Sequence, residues 1–548
     1  MKKRAGLIFF LIIFLALTLR IFNLAQIPSG FYNDETLVGY EAYSILETGK
    51  DQYGNPFPLA FKAFGDFRPG LYIYSIVPFI KVFGLNEFAV RLPSTLFSTA
   101  LIIVTYFLAL ELFNKKRIAL LASLWMAIVP FSIQFGRMAH DTNPATLLVA
   151  LGVLIYLKSR KNIKLLPLSA IILSLSLYVY YTTRVIVPLF IVYFIFHDHK
   201  WLLKNLKITL LSLILSIIII SPIAYSLISS PGAFFSRADH VSLWGDKGLT
   251  ANIIGNTTED SYENITKLPR IYHNKLTEGF IVVTKSFLNH FSLDFLIFEG
   301  DLDQIYKVPS FGIIYILDII LIIIGLIVIN KYKKITGFII FWLVAGLIPD
   351  TLTRFSPTAS RIQFILPVLA IAIALSINYL YKNLNKVIFS VSTIIYLFVF
   401  SFYLHQYFLH MSIRYAKEWH YGLKQVVSEV NKKKDCYDRI WISKTMWGWI
   451  NFAFFLKYPP QQMQREIELK DINEYGIGWV YDFDKYHFDY LPGDITGHKK
   501  TLFIGERGDF SAKDRPIPDK IIYFPDKTEA YYIVSSDKQT YNQCQFTN

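Results

Sequence analysis

Long apolar runs separated by short polar loops occupy the first three quarters of the chain. The first run covers residues 5–25, directly after a basic start, and is long enough to cross a bilayer as a helix. No small-residue cleavage site follows it cleanly, so we interpret it as an uncleaved membrane helix with a cytoplasmic N-terminus. The whole pattern predicts about eleven helical spans, at residues 5–25, 91–113, 118–136, 143–158, 164–181, 184–197, 206–228, 311–331, 335–349, 361–381 and 386–405.

Basic clusters fall in alternate loops of this pattern. They read NKKR at 114–117, KSRKNIK at 158–164, HDHKWLLKNLK at 197–207, NKYKK at 330–334 and KNLNK at 382–386. Cytoplasmic loops of membrane proteins carry such an excess of Lys and Arg. We therefore predict an integral plasma-membrane (cytoplasmic-membrane) protein of the cell envelope, with external loops at 28–90 and 229–310 and an extracytoplasmic C-terminus.

The composition agrees with a bilayer environment. Hydrophobic residues make up 53% of the chain and charged residues only 18%, whereas soluble domains carry roughly a quarter charged residues. The net charge of +14 would suit a nucleic-acid partner. We exclude that class because many of the basic residues lie in short loops between apolar runs.

The tail after residue 405 has a different pattern. A helix-like stretch, YAKEWHYGLKQVVSEVNKKK, precedes short alternating runs such as RIWISK, TLFIGERG, IIYF and AYYIV. This order predicts a small α/β domain, so the chain divides into a transmembrane domain at 1–405 and an extracytoplasmic domain at 406–548. Cys436 and Cys544 both lie in the tail, and their pairing stays open because sequence does not fix their distance.

Three external acidic residues are candidates for catalysis. Asp34 and Glu35 follow the first span among aromatic residues, and Asp141 lies in QFGRMAHDTNPA between two spans. The alternatives are a solvated loop for the first two acids and helix capping for Asp141. His140 beside it has no spaced second ligand, which is weak evidence for zinc. We predict no cofactor, and we find no ligand set for a divalent metal.

Arginines recur at the external ends of the predicted spans, against the usual charge bias. They are Arg68, Arg91, Arg137, Arg184 and Arg361. One interpretation is packing and salt bridging with the external acids. The other is bidentate binding of phosphate, for which the guanidinium is well shaped. Asp318, within a span, is expected to face a structural partner inside the bundle.

Taken together, these motifs resemble the GT-C superfamily of glycosyltransferases, which use polyprenyl-phosphate sugars as donors. The nearest branches are the protein O-mannosyltransferases and the lipid A aminoarabinose transferases. The resemblance covers roughly residues 1–405. It rests on Asp34 and Glu35 after the first span, FRPGLYIY at 67–74, EFAVRLPS at 87–94, RMAHDTNPA at 137–145 and RIQFILPVLAIAIA at 361–374.

The resemblance assigns roles to individual residues. The catalytic first-loop acid of the family falls on Asp34, with Glu35 beside it, and the second acidic site falls on Asp141. The Lys-Pro-Pro-Leu motif, whose cation contacts the donor phosphate, here reads RPGL from Arg68. Arg68 is therefore the first candidate for binding that phosphate. Arg184 and Arg361 are the next candidates for this role, and Arg91, Arg137 and His140 are predicted as supporting residues.

The implied activity is transfer of a sugar from a polyprenyl-phosphate donor to an acceptor hydroxyl, with inversion, on the external face. The acceptor is a protein, a lipid or a glycan. A lipid-linked-sugar or solute transporter is the main alternative, but it would carry charges at mid-membrane and an internal repeat. A membrane-anchored binding protein is a third reading, yet it would need one span rather than about eleven.

Overall fold

A computed structural model describes residues 2–229, 232, 241–243, 247–262, 269–474, 476–511 and 516–544. Part of the predicted second external loop thus lies outside the described residues. Internal contacts divide the chain into two compact units. The bundle unit comprises Met1–Arg20, Leu96–Gly136 and Asp141–Leu404, and the loop–tail unit comprises Ile21–Thr95, Arg137–His140 and His405–Asn548.

This division groups the chain differently from the predicted boundary at residue 405. The bundle unit ends at Leu404, next to the predicted boundary. The first external loop, however, belongs to the same unit as the tail. Whether 406–548 folds as an independent domain stays a prediction.

The bundle unit is helical. Eight described helices are long and apolar enough to cross a membrane, and a pair bent by 60° after Ile128 would make a ninth span. Pro130 begins the second helix of that pair, where it removes a backbone N–H from the ladder. The predicted spans at 164–181 and 311–331 coincide with shorter apolar helices. The α-helical polytopic fold class is confirmed.

The helices that lie wholly or mostly in the bundle unit have these bounds: Lys2–Ile21, Glu87–Phe113, Lys116–Ile128, Pro130–Gly136, Thr142–Ser159, Leu166–Ser176, Thr183–Lys204, Leu206–Ser229, Lys247–Tyr262, Pro269–Tyr272, Lys275–Asn289, Ile316–Ile329, Lys333–Thr351, Ala359–Ile362, Leu366–Asn383 and Lys386–His405. Short 3-10 or π turns lie at Ile163–Leu165, Asp294–Phe298, Gln304–Tyr306 and Gln363–Ile365.

Thr142–Ser159 and Leu366–Asn383 form the centre of this unit and are largely buried, whereas Leu206–Ser229 exposes apolar side chains almost throughout. Such an exposed face is stable in contact with lipid. Close helix packing depends on small residues. A Cβ at Gly325 would lie 2.1 Å from the carbonyl oxygen of Ala372.

Charged side chains inside the bundle unit have partners. Asp318 accepts hydrogen bonds from the backbone N–H of Tyr315 and the hydroxyl of Tyr396, both at 3.0 Å. This arrangement agrees with the structural role predicted for it. Arg20 is fully buried and donates to Ser98 at 3.0 Å and to the carbonyl oxygen of Ala127 at 3.1 Å. These partners offset the cost of a charge at this position.

The loop–tail unit begins with the first external loop. A helix at Asn33–Thr48, here called the loop helix, is followed by a two-stranded antiparallel hairpin, Ala60–Lys62 with Phe67–Pro69, here called the loop hairpin. A further helix spans Leu71–Phe83. The loop helix ends at Gly49, which adopts the left-handed conformation (φ 70°) that favours glycine at a helix C-terminus.

The tail forms the predicted α/β arrangement. Its mixed sheet has the strand order Asp482–Phe483, Tyr486–Asp489, Arg439–Ser443, Thr501–Gly505, Glu529–Ser535 and Lys520–Tyr523, with Arg439–Ser443 parallel to both neighbours. Leu469–Lys470 pairs separately with Trp479–Val480. The tail helices and helical turns are Gln406–His410, Met411–Arg414, Leu423–Lys433, Lys434–Cys436, Lys444–Met446, Gly448–Phe455, Pro460–Glu466, Arg507–Asp509 and Lys538–Gln543.

Cys436 and Cys544 form a disulfide, with their Cα atoms 6.1 Å apart. The bond joins the helical turn Lys434–Cys436, which follows the helix Leu423–Lys433, to the end of the chain's described part. The predicted helix starting near Tyr415 begins only at Leu423, because His420 (φ 53°) and Gly422 (φ 98°) are left-handed and interrupt it.

Tail residues hold the loop helix by close packing and hydrogen bonds. A Cβ at Gly39 would lie 2.7 Å from the Phe454 ring, so only glycine fits there. The Tyr40 hydroxyl donates to the carbonyl oxygen of Tyr458 at 2.9 Å, and Asn451 donates to the Asn33 side chain at 2.6 Å. The position of the first external loop therefore depends on residues about four hundred positions later.

Candidate functional site

Asp34 and Arg68 form an ion pair at the start of the loop helix. Arg68 lies in the loop hairpin opposite Phe61, and its Nη2 is 2.5 Å from Oδ2 of Asp34. The side chains are 23% and 30% exposed, respectively. The pair is thus fixed by two elements but remains open to a molecule arriving from solvent. An acid and a guanidinium in contact can accept a proton and hold an anion.

Glu35, the next residue, lies in the opposite environment. It is buried, and the equally buried Arg91 contacts it through Nε at 3.0 Å and Nη2 at 2.7 Å. The backbone N–H of Ala139 donates to the same carboxylate at 2.7 Å. Because these donors occupy the carboxylate and solvent does not reach it, Glu35 is placed to position the loop. Its predicted catalytic role stays a prediction.

Arg91 has further partners that explain its burial. It donates to the carbonyl oxygens of Leu24 and Pro28 at 3.1 Å and of Gly30 at 2.8 Å. One guanidinium thus fastens the segment between the first span and the loop helix. Salt bridging with an external acid was one of the interpretations left open by the sequence, and the structure shows it for this arginine.

Arg137 and His140 belong to a short segment of the loop–tail unit. Arg137 is fully buried, donates to the carbonyl oxygens of Phe22 at 2.7 Å and Ile27 at 3.0 Å, and lies 4.9 Å from the Phe408 ring centre. The Ser94 hydroxyl lies 3.5 Å from the backbone oxygen of His140. Both residues are placed to shape the loop, and their predicted supporting role remains a prediction.

Asp141 precedes the helix Thr142–Ser159 in the bundle unit. Its side chain makes no capping hydrogen bond to that helix, and its predicted catalytic role stays a prediction. Arg184 begins Thr183–Lys204, with its guanidinium 4.4 Å from the Tyr181 ring centre.

Arg361 of the bundle unit is held through one nitrogen only. Its Nη1 donates to Asp350 at 3.1 Å and to Thr353 at 2.6 Å. No hydrogen bond of its Nε or Nη2 is seen within the described ranges.

Residues 68–225 match the family model of the dolichyl-phosphate-mannose-protein mannosyltransferases. The chain is similar in structure to ArnT from Cupriavidus metallidurans in the apo state, with a TM-score of 0.57 and 11% identity. The match covers 97% of this chain and 98% of the ArnT chain. The same protein bound to undecaprenyl phosphate gives a TM-score of 0.55 at 11% identity, with 98% of each chain covered.

The oligosaccharyltransferase of Archaeoglobus fulgidus, in a complex with zinc and sulfate, gives a TM-score of 0.50 at 13% identity. That match covers 96% of this chain and 73% of the other. The chain has the GT-C glycosyltransferase fold. The predicted resemblance to this superfamily is confirmed. No curated protein matches the chain by sequence.

The family match begins at Arg68 and includes Arg91, Arg137, Asp141 and Arg184. Asp34 and Arg361 lie outside it, so their roles depend on the fold and local geometry. At identities of 11–13%, the structural matches establish the fold alone.

His420 is a site residue that the sequence analysis missed. The Tyr32 ring stacks on it, with centres 5.8 Å apart and an interplanar angle of 18°. Burial lowers the pKa of His420 to about 4, although the nearby Asp34 charge acts in the other direction. At neutral pH the imidazole beside the Asp34–Arg68 pair is therefore uncharged. Only the fold could reveal it, since His420 lies far along the chain in a stretch that reads as helix.

A second missed group lies in the bundle unit around Asp350. The buried Asp350 accepts a hydrogen bond from the backbone N–H of Thr358 at 2.8 Å and lies 2.9 Å from Nε2 of His290. Asp301 accepts from the backbone N–H of Ala359 at 2.5 Å, and burial raises its pKa to about 7. These acids fix the segment that carries Arg361. The sequence signal for this group was Asp350, an acidic residue at the end of an apolar span.

Among the described residues, no three His, Cys, Asp or Glu side chains are grouped to hold a metal ion. The expectation about cofactors and metals stays a prediction.

Proposed function

We propose that the protein transfers a sugar from a polyprenyl-phosphate donor to an acceptor hydroxyl, with inversion, on the extracytoplasmic face of the membrane. The observation that carries the proposal is the exposed Asp34–Arg68 pair, which the loop helix and the loop hairpin hold at 2.5 Å. Two comparisons support it. The matched family is described by a dolichyl-phosphate-mannose donor, and ArnT, which shares the fold, was solved with undecaprenyl phosphate.

In this mechanism Asp34 is the general base. It takes the proton from the acceptor hydroxyl while the acceptor oxygen bonds to the anomeric carbon. The bond from that carbon to the phosphate oxygen breaks on the opposite side, and its electron pair leaves with the lipid phosphate. Because lipid phosphate is already a good leaving group, the protein contributes mainly positioning and charge stabilisation.

Arg68 contributes the positive charge. A guanidinium carries five N–H donors in a rigid fork, so one edge can keep Asp34 in place while another binds the departing phosphate. The Asp34–Arg68 contact is thus compatible with donor binding. The donor-phosphate roles of Arg184 and Arg361 and an acceptor- or sugar-orienting role of Asp141 stay predictions.

The proposed external location rests on two features. Basic clusters occupy the alternate loops on the other side of the membrane, as the charge bias of cytoplasmic loops requires. The Cys436–Cys544 disulfide suits an oxidising compartment outside the cytoplasm.

The test uses the full chain in nanodiscs with a radiolabelled polyprenyl-phosphate sugar and hydroxyl-bearing protein, lipid and glycan acceptors. We expect labelled acceptor together with released polyprenyl phosphate in equal amounts. Movement of intact labelled donor across proteoliposomes without cleavage would contradict the proposal and indicate a transporter.

A further inference from the structure

Exposed and half-buried aromatic side chains form a cluster on the loop–tail unit. Trp447 is 43% exposed, and its ring meets Phe64 edge to face at 5.9 Å and Trp479 at 5.3 Å. Tyr490 nearby is 67% exposed. Phe64, Trp447, Trp479, Tyr481 and Tyr490 are here called the aromatic shelf. Exposed aromatic rings beside half-buried ones, as at Trp447 and Tyr490, are a feature of binding surfaces.

Polar groups alternate with the rings of the shelf. Nζ of Lys444 lies 5.2 Å from the Trp479 ring centre, 4.5 Å from Tyr481 and 5.9 Å from Tyr490. It donates to the Tyr481 hydroxyl at 2.6 Å, and that hydroxyl donates to the exposed Asp471. The surface therefore offers flat apolar faces beside hydrogen-bond donors and acceptors.

Trp447 is held in an unusual backbone conformation. Its φ of 51° and ψ of 34° place it in the left-handed region, between the turn Lys444–Met446 and the helix Gly448–Phe455. A bulky residue is rarely found there, since glycine or asparagine would adopt the conformation at lower cost. Strain retained at an exposed side chain points to function rather than to packing.

The shelf and the proposed catalytic pair share the loop hairpin. Phe64 and Gly65 form the turn of the loop hairpin, and the Asn473 side chain lies 3.4 Å from the carbonyl oxygen of Gly65. Arg68, on the second strand of the same hairpin, contacts Asp34. Arg68 lies four positions after Phe64, at most roughly 13 Å of extended chain. A molecule on the shelf can therefore reach the base.

We propose that the acceptor is a carbohydrate and that the aromatic shelf binds the sugar units adjacent to the acceptor hydroxyl. This inference rests on the proposed function. The C–H face of a pyranose packs on an aromatic ring, while its hydroxyls use donors and acceptors such as Lys444 and Asp471. The exposed Asp471 carboxylate disfavours an anionic membrane surface as the occupant.

The test compares shelf variants with a matched aromatic control in full-length protein in nanodiscs. Trp447→Ala and Tyr490→Ala remove exposed rings of the shelf. Tyr523→Ala removes a 50% exposed ring from the strand at the opposite edge of the tail sheet. The probes are neutral hexose oligosaccharides of several linkages, a serine-containing peptide and vesicles of anionic phospholipid. Binding is measured by saturation-transfer NMR, and transfer by label incorporation.

We expect one of the oligosaccharides to bind the wild type, and Trp447→Ala to weaken it roughly tenfold, as loss of an aromatic anchor does. Its KM as acceptor should rise equally, while donor affinity and donor hydrolysis in water stay unchanged. Tyr490→Ala should also weaken oligosaccharide binding and raise the KM. Agreement between the two variants would exclude a folding defect of Trp447→Ala as the cause. Tyr523→Ala should behave as wild type.

Two kinds of failure are distinguishable. If the donor is cleaved and a hydroxyl acceptor is labelled, but shelf variants bind and use oligosaccharides normally, the inference is wrong and the proposed function stands. Shelf-dependent binding of the peptide or the vesicles, instead of sugars, would also overturn the inference alone. If the wild type neither transfers nor hydrolyses the donor, both proposals fail.

Discussion

Asp34 and Glu35 are neighbours in the chain, and each pairs with an arginine, but their surroundings differ. The Asp34–Arg68 pair is partly exposed, whereas the Glu35–Arg91 pair is buried and its carboxylate receives a further backbone N–H from Ala139. A buried carboxylate is costly to leave without its partner, while a partly exposed one can exchange its partner for a substrate. The same chemical groups thus lie in two different environments one residue apart.

The largest effect is expected from removing the base. Asp34→Asn keeps the size of the side chain but cannot accept a proton at neutral pH. Transfer should fall by roughly a hundredfold to ten-thousandfold, with the thermal unfolding midpoint unchanged. Turnover and unfolding are measured on the same nanodisc preparation, with the exposed Asp494→Asn as the control. Near-normal transfer would remove Asp34 from the mechanism and make Asp141 the leading candidate.

The buried pair should respond in stability instead. Arg91→Ala leaves Glu35 charged and buried without its partner, which typically costs about 3–5 kcal/mol. The free energy of unfolding is measured by denaturant titration, and Arg465→Ala, on an exposed tail helix, is the control. If Arg91→Ala left the free energy of unfolding unchanged but abolished sugar transfer by the folded protein, the Glu35–Arg91 pair would belong to the catalytic site rather than to the structural support.

Arg68 should affect donor binding more than stability. Arg68→Ala removes a charge-assisted contact to phosphate, which is worth about 1.5–3 kcal/mol, so donor affinity should fall roughly tenfold to a hundredfold. Arg68→Lys keeps the charge but loses the fork and should be intermediate. A donor-binding titration on Asp34→Asn and both Arg68 variants separates base from phosphate ligand. Equal donor affinity in all three would exclude Arg68 as the ligand.

The smallest effect concerns His420 beside the exposed pair. Its pKa is about 4 in the folded protein, below its ordinary value, because the ring is desolvated. The unfolded chain therefore binds a proton more readily, and stability should decrease as pH falls from about 6.5 towards 4. In His420→Gln this part of the pH dependence should disappear from the unfolding midpoint. An unchanged pH profile in the variant would mean that folding does not lower the pKa of His420.

The sequence predicted the parts of this protein that depend on local composition. Each predicted span coincides with an apolar helix, since twenty apolar residues have few stable arrangements in lipid other than a helix. The alternating runs of the tail predicted its sheet, because side chains on a strand repeat every two residues. Asp34, Glu35 and Arg68 were also recognisable as candidates, from their place in the first external loop and from the family resemblance.

Tertiary structure alone decided which of these candidates are exposed and what they contact. Arg91 pairs with Glu35, and Tyr32 stacks on His420. Hydrophobic periodicity does not predict contacts between residues so far apart in the sequence. The tail holds the first external loop through contacts such as Tyr40 with Tyr458. Burial and ion pairing depend on all the atoms surrounding a group, whereas hydropathy is a sum over neighbours in sequence. For this reason the spans were predictable, but the different surroundings of Asp34 and Glu35 were not.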